Sequence, residues 1–126
     1  MILIDLFIGL QLLKSIEACG GFSQTCHNIF TIYDNLWAIC DPSPLASSFS
    51  LDLHISNNNG TLETPGSGFY QTCYGLEVID MATESESQSS KGIAASCKDF
   101  HGGYQWTSLS LDERVENKGG NLNWCG

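Results

Sequence analysis

Gly21-Phe22-Ser23-Gln24-Thr25-Cys26 returns later in the chain as Gly68-Phe69-Tyr70-Gln71-Thr72-Cys73, changed only where Ser23 becomes Tyr70. A second echo follows. Ser50-Leu51-Asp52 with Ile55, Asn57, Gly60 and Leu62 reappears as Ser110-Leu111-Asp112 with Val115, Asn117, Gly120 and Leu122, at the same internal spacing. Between the two landmarks each copy holds one further cysteine, Cys40 in the first and Cys97 in the second. Self-similarity at this scale makes the chain a tandem duplication in which each copy is one supersecondary unit.

Each copy reads as short strands and turns. Phe22, Gln24 and Cys26 alternate with Ser23 and Thr25 as in a strand, and Thr31 to Ile39 suits a further β segment with a turn at Asp34-Asn35. Leu51-Asp52-Leu53-His54-Ile55 and Leu111-Asp112-Glu113-Arg114-Val115 place apolar residues four apart after Ser-x-Asp, the pattern of one helical turn. Asn57-Asn58-Asn59-Gly60 and Asn117-Lys118-Gly119-Gly120 have the composition of tight turns, so each copy ends as a hairpin. The copies differ most between their inner cysteines, where the second gains the polar run Ala82 to Ser90. That run has too little apolar surface to order itself and is expected to be a mobile loop, with Thr83 to Ser90 dispensable for folding.

The 126 residues suffice for one domain, with repeat one at about 19–65 and repeat two at about 66–126. Five Lys plus Arg stand against 14 Asp plus Glu, a formal net charge of -9 that phosphate backbones and anionic lipids would repel. Nucleic acid and membrane surfaces are thereby disfavoured as partners. Met1 to Leu13 is almost wholly apolar and Ser15-Ile16-Glu17-Ala18 precedes Cys19, so residues 1–18 are expected to be a secretory signal. An even set of cysteines in a short exported chain points to disulfides, though spacing alone does not fix their pairing. The duplication suggests Cys26 with Cys40 and Cys73 with Cys97, leaving Cys19 and Cys125 to join the ends. No Cys-x-x-Cys pair occurs and His27, His54 and His101 are dispersed, so neither a metal nor another cofactor is expected.

With these residues assembled, the chain resembles the cyanovirin-N homology family of lectins from about Gly20 to Trp124. Phe22-Ser23-Gln24-Thr25-Cys26, the Leu-Asp turns with Asn-x-x-Gly-x-Leu, and the paired cysteines carry the likeness. The resemblance implies an all-β, pseudo-symmetric fold of two repeats with intertwined halves, short helical turns and disulfides, and a sugar site at each end. One site would combine Gln24, Thr25, Asp41 and Ser43 with Asn117, Lys118 and Gly119. The other would combine Gln71, Thr72, Lys98 and Asp99 with Asn57, Asn58 and Asn59. Amides, carboxylates and hydroxyls match the donors and acceptors of adjacent sugar hydroxyls. Relative to the family pattern, Gly21 replaces a basic residue and Gly119 an acidic one at the first site. Ser56, Gln71, Asn59 and Phe100 are departures at the second.

The function implied is a secreted, non-catalytic lectin for mannose-rich glycans or glycoproteins, as a monomer or a domain-swapped dimer. The alternative is a secreted interaction protein that keeps the fold without sugar binding. Asp52 and Asp112 are not read as a hydrolase pair, because they are one position in two repeats; a capping role fits Ser-x-Asp better. His101 lacks an accompanying nucleophile motif and reads as a surface residue. Trp37, Trp106 and Trp124 read as core or edge packing. Asn59-Gly60-Thr61 is an N-glycosylation sequon on an expected turn. If the cysteine reading holds, secreted protein begins at Cys19 and titrates with no free thiol; two or more free thiols by titration and intact mass would contradict it.

Overall fold

The computed structural model describes residues 19–82 and 90–126. The expected signal segment 1–18 lies outside the described residues, as does the loop run except for its ends at Ala82 and at Ser90, which pairs with Met81 as the first residue of a strand instead of belonging to the loop. Ten strands are linked by turns: β1 (Cys26–Ile32), β2 (Asn35–Cys40), β3 (Ala46–Ser50), β4 (Ser56–Asn58), β5 (Thr61–Glu63), β6 (Cys73–Met81), β7 (Ser90–Lys98), β8 (Tyr104–Ser110), β9 (Val115–Lys118) and β10 (Asn121–Trp124). Each repeat forms an antiparallel three-stranded sheet, β1-β2-β3 or β6-β7-β8, followed by a two-stranded hairpin, β4-β5 or β9-β10. Among the described residues no helix is long and apolar enough to cross a membrane.

The hairpins change partners. β9-β10 of repeat two sits on the sheet of repeat one, where Leu122 N donates to Ser47 Oγ at 2.9 Å. β4-β5 of repeat one sits on the sheet of repeat two, where Leu62 N donates to Thr107 Oγ1 at 3.1 Å. Each half is therefore built from both repeats, as the resemblance implies. The core shows the same duplication: Phe22 and Phe69, Leu36 and Ile93, Leu51 and Leu111, and Ile55 and Val115 are all fully buried equivalents. Buried apolar area of this kind drives folding. Three disulfides add covalent closure: Cys26–Cys40 and Cys73–Cys97 tie β1 to β2 and β6 to β7, and Cys19–Cys125 joins the ends. This pairing is the one the duplication suggested.

Three local expectations change. Phe22–Gln24 is a 3-10 turn rather than the start of a strand, and so is Phe69–Gln71. Gly21 and Gly68 enter these turns with φ of 76° and 87°, a left-handed conformation that a side chain would strain. The hairpin turn between β1 and β2 falls at Tyr33-Asp34 instead of Asp34-Asn35, because Asp34 is held by Ser50 Oγ at 2.6 Å and its carbonyl accepts Leu51 N at 2.8 Å. The helical turn expected after Ser-x-Asp forms at Leu51–Leu53, whereas the second copy is a single turn in which Leu111 O accepts both Arg114 N and Val115 N.

Asp52 and Asp112 do cap, but across the repeats. Asp112 Oδ1 accepts Ser23 N at 3.0 Å, while its Oδ2 accepts Ser23 Oγ at 2.6 Å and Lys91 N at 2.7 Å. Asp52 Oδ1 accepts Tyr70 N at 2.7 Å. The backbone follows the same crossing, with Gly21 N on Asp112 O at 2.7 Å and Gly68 N on Asp52 O at 2.8 Å. Each carboxylate thus satisfies the free N–H groups at the start of the other repeat's turn. Since hydrogen bonds to a charged group are worth roughly 1.5–3 kcal/mol, Asp52→Ala, which loses one, should cost about that much, and Asp112→Ala, which loses three, should cost more. Urea unfolding of both variants checks the order, and equal losses would refute it.

Candidate functional site

The crossing of hairpins brings part of each expected set of polar residues together, Asn117 with Thr25 and Asp41 at a first end and Asn57 with Thr72 and Lys98 at a second. At the first end, Asn117 at the close of β9 reaches the turn before β1: its Nδ2 donates to Thr25 Oγ1 at 2.9 Å and to Asp41 O at 2.7 Å. Its Oδ1 accepts Gly120 N at 2.8 Å, closing the hairpin turn. Thr25 O accepts Asp41 N at 3.0 Å, so the residue after the disulfide is fixed to the 3-10 turn. Gly120 has φ of 103°, and a Cβ there would stand 2.9 Å from Ser43 Cβ. Glycine is required at this point for both reasons. Ser43 Oγ accepts Leu45 N at 3.1 Å and shapes the adjoining loop.

The second end repeats this geometry with Asn57, whose Nδ2 donates to Thr72 Oγ1 at 2.8 Å and Lys98 O at 3.0 Å, and whose Oδ1 accepts Gly60 N at 2.8 Å. Thr72 O accepts Lys98 N at 2.9 Å. Gly60 has φ of 91°, and a Cβ there would come 2.8 Å from Gln105 Cγ. Asn117 and Asn57, two of the four asparagines that sequence reading placed among the sugar contacts, are the residues that tie each hairpin to the neighbouring turn. Both hydrogens of each side-chain amide are already engaged.

The ends differ in what they leave open. At the first, the side chains of Gln24, Asp41 and Lys118 make no hydrogen bond within the described chain and all three residues are exposed. Thr25 Oγ1 accepts from Asn117 and keeps its own hydrogen to donate. Gly119 contributes only backbone. At the second, Thr72 Oγ1 donates back to Phe69 O at 3.4 Å, Asn58 Nδ2 is held by both oxygens of Glu63 at 3.2 Å, and Asn59 Oδ1 accepts Phe100 N at 2.7 Å. Asp99 is folded into its own loop: Oδ2 accepts Gln105 Nε2 at 2.8 Å, and Oδ1 accepts His101 N and Gly103 N, each at 2.9 Å. Its carboxyl is held below the usual range, first by the Gln105 side chain and also by those backbone N–H groups and the nearby His101. The side chains of Gln71 and Lys98 make no hydrogen bond among the described residues.

Sequence reading missed Ser47, Thr107 and Gln105, which seat the hairpins and hold the Asp99 loop. The available signal was that Ser47 and Thr107 occupy the same position in the two repeats. The tryptophans divide: Trp124 stacks on His54 with ring centroids 4.7 Å apart, Trp37 stacks on Phe30, and Trp106 is 59% exposed. Partial burial in the His54 contact lowers that imidazole's pKa. His101 is exposed. Among the described residues no group of three or more His, Cys, Asp or Glu is placed to hold a metal.

The family model of the CVNH domain matches residues 22–123, from the first 3-10 turn to the last strand. The chain belongs to the CVNH family. The match leaves the Cys19–Cys125 bridge just outside it. Among solved structures, the CVNH protein of Gibberella zeae is similar over 83% of this chain and 97% of its own, with TM-score 0.69 and 20% identity. Microvirin, solved as its mannobiose complex, is 26% identical over 83% of this chain and 98% of its own, with TM-score 0.65. A variant of MoCVNH3 in complex with (N-GlcNAc)4 has TM-score 0.67 at 17% identity, covering 84% of this chain and 97% of its own.

Truncating either amide would strand a hydroxyl, a carbonyl and a glycine N–H at once. Asn117→Ala and Asn57→Ala should each lose about 1–3 kcal/mol, and amide exchange should rise at Gly120 or Gly60, respectively. If Asn117→Ala leaves both stability and Gly120 exchange unchanged, its side chain does not assemble the first end.

Proposed function

We propose that this protein is a secreted, non-catalytic lectin that binds mannose-rich oligosaccharides at its first end. The observation that carries the reading is the set of exposed polar groups there: the Gln24 amide, the Asp41 carboxylate and the Lys118 ammonium, which make no hydrogen bond among the described residues, and the Thr25 hydroxyl, which accepts from Asn117 and keeps its own hydrogen to donate. A carboxylate accepts from, and an amide both accepts from and donates to, sugar hydroxyls, which water-facing side chains can do without losing internal bonds. Asn117 and Ser43 set the position of these groups, and Gly119 leaves the rim open. Mannobiose in the microvirin complex and the (N-GlcNAc)4 ligand of the MoCVNH3 variant support sugar as the ligand class. The three disulfides support export to an oxidising compartment.

One such shallow site binds weakly, since each neutral hydrogen bond nets about 0.5–1.5 kcal/mol after water is displaced. A domain-swapped dimer would present two first ends and raise avidity by roughly 10²–10⁴ without new contacts. Titration calorimetry with a mannose disaccharide tests the site. Asp41→Ala, which retains the backbone carbonyl used by Asn117, should weaken binding about tenfold or more, as expected for a charge-assisted bond, while Gln71→Ala should leave it unchanged. The reverse pattern would move the site to the second end, and no binding by the wild type would favour an interaction protein of the same fold.

A further inference from the structure

We propose that Asn59 carries an N-linked oligosaccharide whose first sugar rests on Phe100 and covers the second end. Asn59-Gly60-Thr61 is an acceptor sequon, and its counterpart in the other repeat, Gly119-Gly120-Asn121, is not. Asn59 stands exposed between β4 and β5 with φ of 54°. Three asparagines run consecutively here, and their amides are used differently. Asn57 Nδ2 is bound by Thr72 Oγ1 and Lys98 O, and Asn58 Nδ2 by Glu63. Asn59 alone leaves Nδ2 without a partner among the described residues, while its Oδ1 is held by Phe100 N at 2.7 Å. The amide is therefore fixed through its oxygen with its nitrogen free. Thr61, the other sequon side chain, is exposed as well.

Phe100 supplies the second observation. The residue is 78% exposed, and its backbone N–H is the group that holds Oδ1 of the acceptor amide, so an uncovered aromatic residue adjoins the attachment site. The apolar face of a pyranose ring is a fitting cover for an exposed aromatic ring. In the modification, Asn59 Nδ2 forms a bond to the anomeric carbon of a lipid-diphosphate-linked oligosaccharide. The bond from that carbon to the diphosphate oxygen breaks, the lipid diphosphate leaves with the electron pair, and Nδ2 gives up one proton. No oxidant or reductant is needed. The compartment that forms the three disulfides is the one in which such transfer takes place. The significance of the cover rests on the lectin reading: with Asn58, Asn59 and Asp99 tied down and a glycan above them, sugar binding is left to the first end.

The test is secretion of the full chain from a glycosylating eukaryotic host, beside Thr61→Ala, which keeps Asn59 but destroys the sequon. Intact mass should show one N-glycan on the wild type, removable by an amidase that leaves aspartate at 59, and none on Thr61→Ala. NMR of the glycoprotein should show contacts between the Phe100 ring and the first N-acetylglucosamine, and a shift of the ring resonances relative to Thr61→Ala. An unmodified wild type overturns the proposal, and so does a glycan that leaves the Phe100 resonances where Thr61→Ala has them. Titration of both proteins with a mannose disaccharide separates the two readings: absence of binding in both refutes the lectin, while the glycan still stands or falls on mass and NMR.

Discussion

Each half of the molecule is anchored by a carboxylate that belongs to the other repeat. Asp112 holds the turn at Phe22–Gln24, and Asp52 holds its counterpart at Phe69–Gln71. These turns present backbone N–H groups that a three-residue helix cannot satisfy internally, so a distant acceptor decides whether they form. Once they do, Phe22 and Phe69 are driven into the core and Thr25 and Thr72 are set at the ends. The crossing hairpins then meet these threonines through Asn117 and Asn57. Fold and polar ends thus depend on the same exchange between repeats.

The duplication allows the ends to diverge without disturbing that exchange. Both keep an asparagine, a threonine, a carbonyl and a glycine in one geometry. Around this shared frame, the first end keeps its polar side chains facing water, whereas the second directs Asn58, Asn59 and Asp99 into contacts with its own loops. The same hydrogen-bonded frame therefore carries different chemical capacity. The bulges in β1 and β6 show a similar tolerance: the left-handed position is Asn28 in one copy and Gly75 in the other. Asparagine accepts that conformation more readily than most residues.

Much of this was legible in the sequence because duplication presents each constraint twice. Cysteine positions, the buried pairs Leu51 with Leu111 and Ile55 with Val115, and the terminal hairpins could be read from matching spacing. The turn at Phe22–Gln24 could not, since five residues of alternation fit a strand equally well and the deciding carboxylate lies in the other repeat. The same limit applies to the ends. Residue type identified Asn117 and Asp99 as polar and exposed-turn candidates, but only the folded chain shows that Asn117's amide hydrogens and both carboxylate oxygens of Asp99 are already engaged.

The bridge between Cys19 and Cys125 brings the two ends of the described chain to a Cα separation of 5.5 Å. Backbone and bridge together make a closed ring, in which the order of the two repeats is a matter of where the ring is opened. Opening it in the segment between β5 and the turn at Phe69–Gln71, with a peptide link in place of the disulfide, would give a circular permutant with repeat two leading. Because both repeats reach across to each other in the same way, either order supplies the same clasps.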